Sequence, residues 1–185
     1  MTTVFIAGSI TIKKIDDLIR DRIKNILDAG HKIIVGDADG ADKAIQEHLS
    51  AQDCTNVTVY CSGDKPRNNL GSWPIEKVIT DEKPGSRAFF TAKDLAMSKN
   101  ADFGFMIWDT KSTGTLSNII ELMGHGKKSL VYVNTKKTFL GIGSPSQLDY
   151  LADIMPAASR EKAEGKIRLS EKIAILKNQQ SGFDF

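Results

Sequence analysis

Between Asp102 and Asn134 two short apolar runs bracket a stretch with helical spacing, and a polar turn separates the first run from the helix. The first run, Phe-Gly-Phe-Met-Ile-Trp, carries no charge between Asp102 and Asp109. Thr-Lys-Ser-Thr-Gly-Thr is turn-forming, Ile119, Ile120 and Leu122 recur on one helical face, and Leu-Val-Tyr-Val is the second run. A strand, a loop, a helix and a strand in that order form a βαβ unit. Its strands run parallel because the helix carries the chain back to the end of the sheet where the first strand began. Ligands of parallel sheets gather beyond the carboxyl ends of the strands, which here is the loop from Asp109 to Thr115.

The N-terminal part repeats the same alternation. Val4 to Ala7 is an apolar run ending at Gly8-Ser9. Ile12, Ile15, Leu18, Ile19, Ile23, Ile26 and Leu27 then follow at helical spacing as far as Gly30. Ile33 to Val35 form a second strand that runs into Gly36-Asp37-Ala38-Asp39-Gly40-Ala41-Asp42. Ala44, Ile45 and Leu49 continue as a helix, and Val57, Val59 and Tyr60 form a third strand. Residues 1–61 therefore read as βαβαβ. The expected fold is an α/β, Rossmann-like five-stranded parallel sheet of order 3-2-1-4-5. It spans residues 1–140, and a C-terminal helical extension, 141–185, packs on it or on a partner subunit.

Residues 62–86 hold three prolines and three glycines without a sustained period and read as a long loop. Arg67 and Trp73 within it are candidate ligand contacts, although a Trp that pins the loop to the core is the simpler reading. Arg87 to Asn100 reads as a helix with Phe89, Phe90, Leu95, Ala96 and Met97 inward. A Gly- and Ser-containing loop follows Asn134. Ser144 or Ser146 then caps a helix that Pro156 ends, and Arg160 to Lys177 continues in helical spacing interrupted at Gly165.

The net charge of +2 comes from 25 basic and 23 acidic residues scattered along the chain, which gives no footprint for nucleic acid or an anionic membrane. No run approaches the ~20 apolar residues of a membrane span. With no signal-peptide pattern at the N-terminus, a cytoplasmic location is expected. Cys54 and Cys61 lack zinc-site spacing, and neither a metal nor a cofactor is expected.

Three turns follow strands on one edge of such a sheet: Gly8-Ser9, Gly36 to Asp42, and Asp109 to Thr115. Lys111 to Thr115 offers hydroxyls, one cation, a glycine and the free amides of a helix start, a set that suits phosphate. The bland reading is a helix cap by Thr113 or Thr115. Asp37, Asp39 and Asp42 make the second turn acidic. That turn repels phosphate and suits donors on a ribose or base, unless Asp39 is a plain cap.

These turns carry a resemblance. The chain is similar to the Rossmann-like SLOG superfamily, which includes the lysine-decarboxylase-like cytokinin-activating phosphoribohydrolases and the DNA-processing protein A fold. It most resembles an uncharacterised bacterial and phage branch. The shared motifs are a Gly-x-x-x-Gly-Ala-Asp turn, Gly36 to Asp42, and an Ala-Asp-x-Gly-x-Met-Ile-Trp-Asp-x-Lys-Ser-x-Gly-Thr-x-x-Asn run, Ala101 to Asn118. The resemblance implies a small-molecule nucleotide across the sheet edge, a nucleoside monophosphate or an ADP-ribose-type molecule, and a homodimer. The ligand-binding positions expected are Gly8, Ser9, Gly36, Asp37, Gly40, Lys93, Lys111, Ser112, Gly114, Thr115 and Asn118.

Active members of the superfamily cleave an N-glycosidic bond with a glutamate and an arginine, where this chain has Asn118 and Lys93. An amide cannot take up a proton or supply the charge that an oxocarbenium-like species requires. Hydrolysis would then fall to Asp109, Asp39 or Glu121. The alternative is a protein that senses or sequesters a nucleotide without turning it over.

Overall fold

The computed structural model describes residues 1–181. The strands are β1 (Thr3–Gly8), β2 (Lys32–Gly36), β3 (Val57–Ser62), β4 (Ile75–Val78), β5 (Phe103–Trp108), β6 (Ser129–Val133) and β7 (Thr138–Ile142). The helices are α1 (Asp17–Asp28), α2 (Ala41–Ala51), α3 (Arg87–Asn100), α4 (Thr113–Gly124), α5 (Pro145–Asp153), α6 (Ala157–Ile167) and α7 (Leu169–Ser181).

The strands form a single sheet of order β4-β3-β2-β1-β5-β6-β7, parallel except for the antiparallel β6–β7 pair. This corrects the expectation of five parallel strands: among the described residues there are seven and the sheet is mixed. The five strands read from the sequence stand together in its centre, with β4 and β7 added at its edges. β4 lies inside what reads as a loop; Ile75, Glu76 and Lys77 are exposed, so no apolar pattern marks it. β7 likewise replaces part of the expected loop after Asn134.

Side chains alternate across the sheet, so each strand feeds two cores. Ile6, Ile33, Val35, Phe105 and Ile107 pack with Ile19, Ile23 and Ile45 of α1 and α2. Phe5, Ile34, Met106 and Trp108 pack with Met97 of α3 and with Leu116 and Ile119 of α4 on the other face. Leu148, Leu151, Ala163, Leu169, Ile173 and Leu176 join this second core, with α6 and α7 packed on α4 and α5 packed on α7.

Several local readings are corrected. α1 starts at Asp17 because the Asp16 carboxylate caps it through Ile19 N–H at 3.3 Å. Ile12 and Ile15 are buried in the connection before the helix rather than on it. Leu95 of α3 is 45% exposed, whereas Lys93 and Ser98 face inward. The break in the C-terminal helices falls at Arg168, which adopts a left-handed conformation with φ 51°, and Gly165 lies inside α6. Among the described residues no helix is long and apolar enough to cross a membrane.

Candidate functional site

Connections leave β1 toward β2 on one side, while the other half of the sheet grows from β5, so the strand order reverses between β1 and β5. The two loops diverge there and leave a crevice at the carboxyl edge. A cleft of about 310 Å³ occupies this place. Ile10 and Thr11 line it from the loop after β1, and Asp109, Lys111, Ser112, Thr113 and Gly114 from the loop after β5 and the start of α4. Arg87 of α3 and Lys162 and Lys166 of α6 complete its walls.

Internal hydrogen bonds fix the β5 loop. The Asp109 carboxylate accepts the N–H of Lys111 at 2.9 Å, the N–H of Ser112 at 2.7 Å and the hydroxyl of Thr11 at 2.6 Å. Burial would raise its pKa, but these donors outweigh it and hold the carboxyl below its ordinary value. Trp108 is fully buried and ties the loop down by donating from its indole to Ser112 O at 3.0 Å. Thr110 between them adopts φ 65°, an uncommon conformation for a β-branched residue and a mark of local strain.

Ser112 caps α4 by accepting Thr115 N–H at 3.3 Å, and the first helical bond runs from Leu116 N to Ser112 O. The amides of Thr113 and Gly114 precede that bond, at the positive end of the helix. Thr113 is 8% exposed, and its hydroxyl has no partner among the described residues. Arg87, Lys111, Lys162 and Lys166 are exposed, and among the described residues none makes an ion pair. Unpaired cations around an open helix start, with one internally bonded carboxylate, create a local preference for an anion.

The other expected ligand residues are mostly turned inward. Ser9 has no exposure: its hydroxyl accepts Asp109 N–H at 3.1 Å and shares a 3.3 Å contact with the hydroxyl of Thr115. Thr115 in turn donates to Ser112 Oγ at 3.1 Å. These two hydroxyls join the β1 and β5 loops. A Cβ on Gly8 would meet Ile107 O at 2.6 Å, one on Gly36 would meet Asp42 Oδ2 at 2.4 Å, and one on Gly40 would meet Ile10 O at 2.2 Å. Those glycines admit neighbouring protein atoms. At Gly114 the nearest neighbour is Ser112 Oγ at 3.9 Å, so its outer side is open. Asn118 is buried on α4, at 7% exposure.

Beyond β2 lies a second cluster. Asp37 accepts Arg67 through its guanidinium at 2.7 and 3.2 Å and through its backbone N–H at 2.9 Å, and Arg67 also stacks on Phe90. Lys93, 3% exposed, contacts Asp94 at 2.6 Å and Asp37 at 4.0 Å. Burial would lower the Lys93 pKa, but Asp94, Asp42 and Asp37 raise it, so the ammonium stays charged. Asp37 is held below its ordinary value: Arg67's hydrogen bonds and the nearby Lys93 charge outweigh its burial. Asp42, pushed up to about 6, shows the reverse, because burial outweighs the pull of Lys93. The acidic turn is thus closed by the chain's own Arg67, Asn68 and Lys93. Trp73 is 6% exposed and donates to Cys54 O at 2.6 Å, pinning the loop to the core.

The three candidate catalytic carboxylates do not come together. Asp109 lines the cleft, Asp39 is exposed and accepts from Asn68 at 3.2 Å, and Glu121 pairs with Lys172 of α7 at 2.7 Å. Glu121 lines a neighbouring groove of about 700 Å³ between α3 and α4, which shares Arg87 and Lys166 with the cleft. Sequence reading missed Arg87, Lys162 and Lys166; the only trace of them is a pair of lysines four residues apart on one helix.

No family model, curated protein or solved structure matches the chain. Its fold defines it as an α/β protein with a cleft, lined by Arg87, Lys111, Lys162 and Lys166, where the strand order reverses.

Proposed function

We propose that this protein binds a phosphorylated nucleoside, with a phosphate on the start of α4 between Gly114, Thr113, Ser112 and Lys111. One observation carries the reading: an open helix N-terminus, beside cations that make no ion pair among the described residues, lies where the sheet reverses. The Rossmann-like character of the central strands and the resemblance described above supply the nucleoside part. The groove along α3 and α4, with Ala88, Ala92, Leu95 and Ser117, receives the ribose and base, because the turn after β2 is filled by protein.

The reading favours binding without cleavage, as in a sensor or sequestering protein. Asp109 is engaged by three donors, and an amide occupies position 118. N-glycosidase activity is the second reading and depends on Glu121, the one candidate carboxylate in the groove.

Calorimetry with a panel of nucleotides tests the binding. Wild type is expected to bind at least one of them, and Gly114→Val to weaken that binding tenfold or more. No binding at high protein concentration, together with no effect of Gly114→Val, overturns it. Chromatography of the recovered ligand separates the two readings: intact nucleotide supports the sensor, and steady release of free base abolished by Glu121→Gln supports the hydrolase.

A further inference from the structure

The two edges of the sheet differ in how they meet solvent. β4 has four residues, follows Pro74 and carries Glu76 and Lys77, features that keep an edge strand unpaired. β7, Thr-Phe-Leu-Gly-Ile, has neither charge nor proline, and among the described residues it pairs only with β6. Its free backbone groups follow from the ladder. Gly104 N–H bonds to Lys128 O and Asn134 N–H to Trp108 O, so Leu130 and Tyr132 turn their backbone to β5, while Ser129, Val131 and Val133 turn theirs to β7. Opposite those three stand Ile142, Leu140 and Thr138. Phe139 and Gly141 therefore direct their N–H and C=O groups outward.

Gly141 has no internal reason to be glycine. A Cβ there would meet nothing within 4 Å, and its φ lies outside the left-handed region. Glycine inside a strand weakens it and often marks the close approach of another chain segment. Phe139, two residues away on the same face, is half-buried against Tyr132, with the Arg22 guanidinium 5.1 Å from its ring centroid. Leu18, one turn before Arg22 on α1, is exposed. On the other face of the sheet Tyr150 of α5, which Lys136 of the β6–β7 turn contacts at 3.4 Å, is exposed too. Apolar surface thus flanks the strand on both sides.

We propose that β7 pairs antiparallel with β7 of a second copy about a two-fold axis at Leu140, joining two sheets into one. In an antiparallel pair, outward-facing residues stand opposite outward-facing ones. The register centred on Leu140 satisfies this over the whole strand: Phe139 faces the partner's Gly141, and Thr138 the partner's Ile142. Each Phe139–Gly141 pair exchanges two backbone hydrogen bonds, and each ring covers the opposite glycine. Leu140 meets its symmetry mate, Lys137 falls opposite the partner's Gly143, and no like charges oppose one another. At β4 the same rule sets Glu76 against Glu76 or Lys77 against Lys77 in the two registers of greatest overlap, which disfavours that edge. The interface is the sheet edge rather than the C-terminal helices, and it forms whatever the cleft binds.

The test is analytical ultracentrifugation of the full chain over a concentration series, with amide hydrogen exchange read across residues 138–142. At high concentration the protein is expected to sediment at twice the chain mass. The Phe139 and Gly141 amides are then protected, and they exchange tenfold or more faster once dilution gives the monomer. Gly141→Lys puts its side chain into open space within one chain but against the partner's Phe139, so it should melt like wild type and weaken the dimer tenfold or more. Glu76→Lys on β4 should leave the dimer unchanged. A monomer at every concentration overturns the proposal, as does a dimer that Gly141→Lys leaves intact or Glu76→Lys disrupts. A dimer whose Phe139 and Gly141 amides exchange as fast as in the monomer also overturns it, and that reading on wild type decides the matter even if the lysine variant melts early.

Discussion

The Lys93 ammonium stands 4.0 Å from the Asp37 carboxylate, and both side chains are almost without solvent contact, at 3% and 4% exposure. Removing one partner of a buried pair leaves the other uncompensated, at a cost of about 3–5 kcal/mol. Lys93→Met removes the cation beside Asp42 and Asp94 and leaves Asp37 to Arg67 alone, and it is expected to cost an amount in that range by urea unfolding. Arg67→Ala is expected to cost less, because Arg67 is 37% exposed and Asp37 keeps Lys93. Equal losses would show that Lys93 is not the central charge of this cluster.

Asp42 predicts an unusual pH dependence. Its carboxyl is pushed up to about 6 in the folded protein, with Lys93, Asp94, Asp37 and the Ala38 N–H facing it. In the unfolded chain it titrates near the ordinary carboxylate value, so between about pH 4 and 6 the folded state holds the extra proton. Its contribution is fully present below pH 4 and lost as pH rises through 6, by on the order of 3 kcal/mol. Asp37 and Asp109, both shifted down, act oppositely and lose their contribution in more acid solution. Asp42→Asn should therefore raise stability at pH 7 to 8 and flatten the decline from pH 4 to 6. Thermal melts across pH measure this, and an unchanged profile would count against a raised Asp42.

The glycines at the sheet edge separate by what surrounds them. Gly8→Ala drives a Cβ to 2.6 Å from Ile107 O and 2.7 Å from the Ala41 side chain, where strand and helix backbone must move. A loss of roughly 1–3 kcal/mol is expected by denaturant unfolding. Gly114→Ala meets nothing closer than 3.9 Å inside a helix and should stabilise by about 0.5–1 kcal/mol. If both substitutions proved harmless, Gly8 would not be a packing contact.

The central strands were legible because each is an apolar run bounded by turn residues, and α3 because its helical stretch lies between a loop and a charged end. The edge strands β4 and β7 were not: Ile75, Glu76 and Lys77 of β4 are exposed, and β7 is a short strand whose apolar residues Phe139, Leu140 and Ile142 are broken by Gly141, so neither shows a sustained apolar run. In the site, Lys111 to Gly114 could be read because hydroxyls, a cation and a glycine are contiguous there. Arg87, Lys162 and Lys166 reach the same cleft from distant helices, and with no acidic partner they leave no pairing pattern in the sequence. Gly36 and Gly40 read as ligand turns, and the structure sets Asp42 and the Ile10 backbone against them. A glycine that admits a neighbouring carboxylate or backbone is spelled like one that admits a ligand.

Asp109 offers the sharpest distinction between a residue that shapes the loop and one that performs chemistry. Asp109→Ala leaves the N–H groups of Lys111 and Ser112 without their acceptor, and about 1–3 kcal/mol is lost for each such group that stays dry. Asp109→Asn keeps a carbonyl oxygen for both amides, and the Thr11 hydroxyl can rotate to accept from the new amide group. The Asn variant should therefore melt within a few degrees of wild type and bind nucleotide with similar affinity, while the Ala variant loses both stability and affinity. A general base would behave differently: Asn would abolish any release of free base as fully as Ala while leaving the fold intact. Melting, calorimetry and base release on the two variants decide it. Equal loss of release in both, with stability preserved in Asn, would overturn the loop-shaping role as the whole account of Asp109.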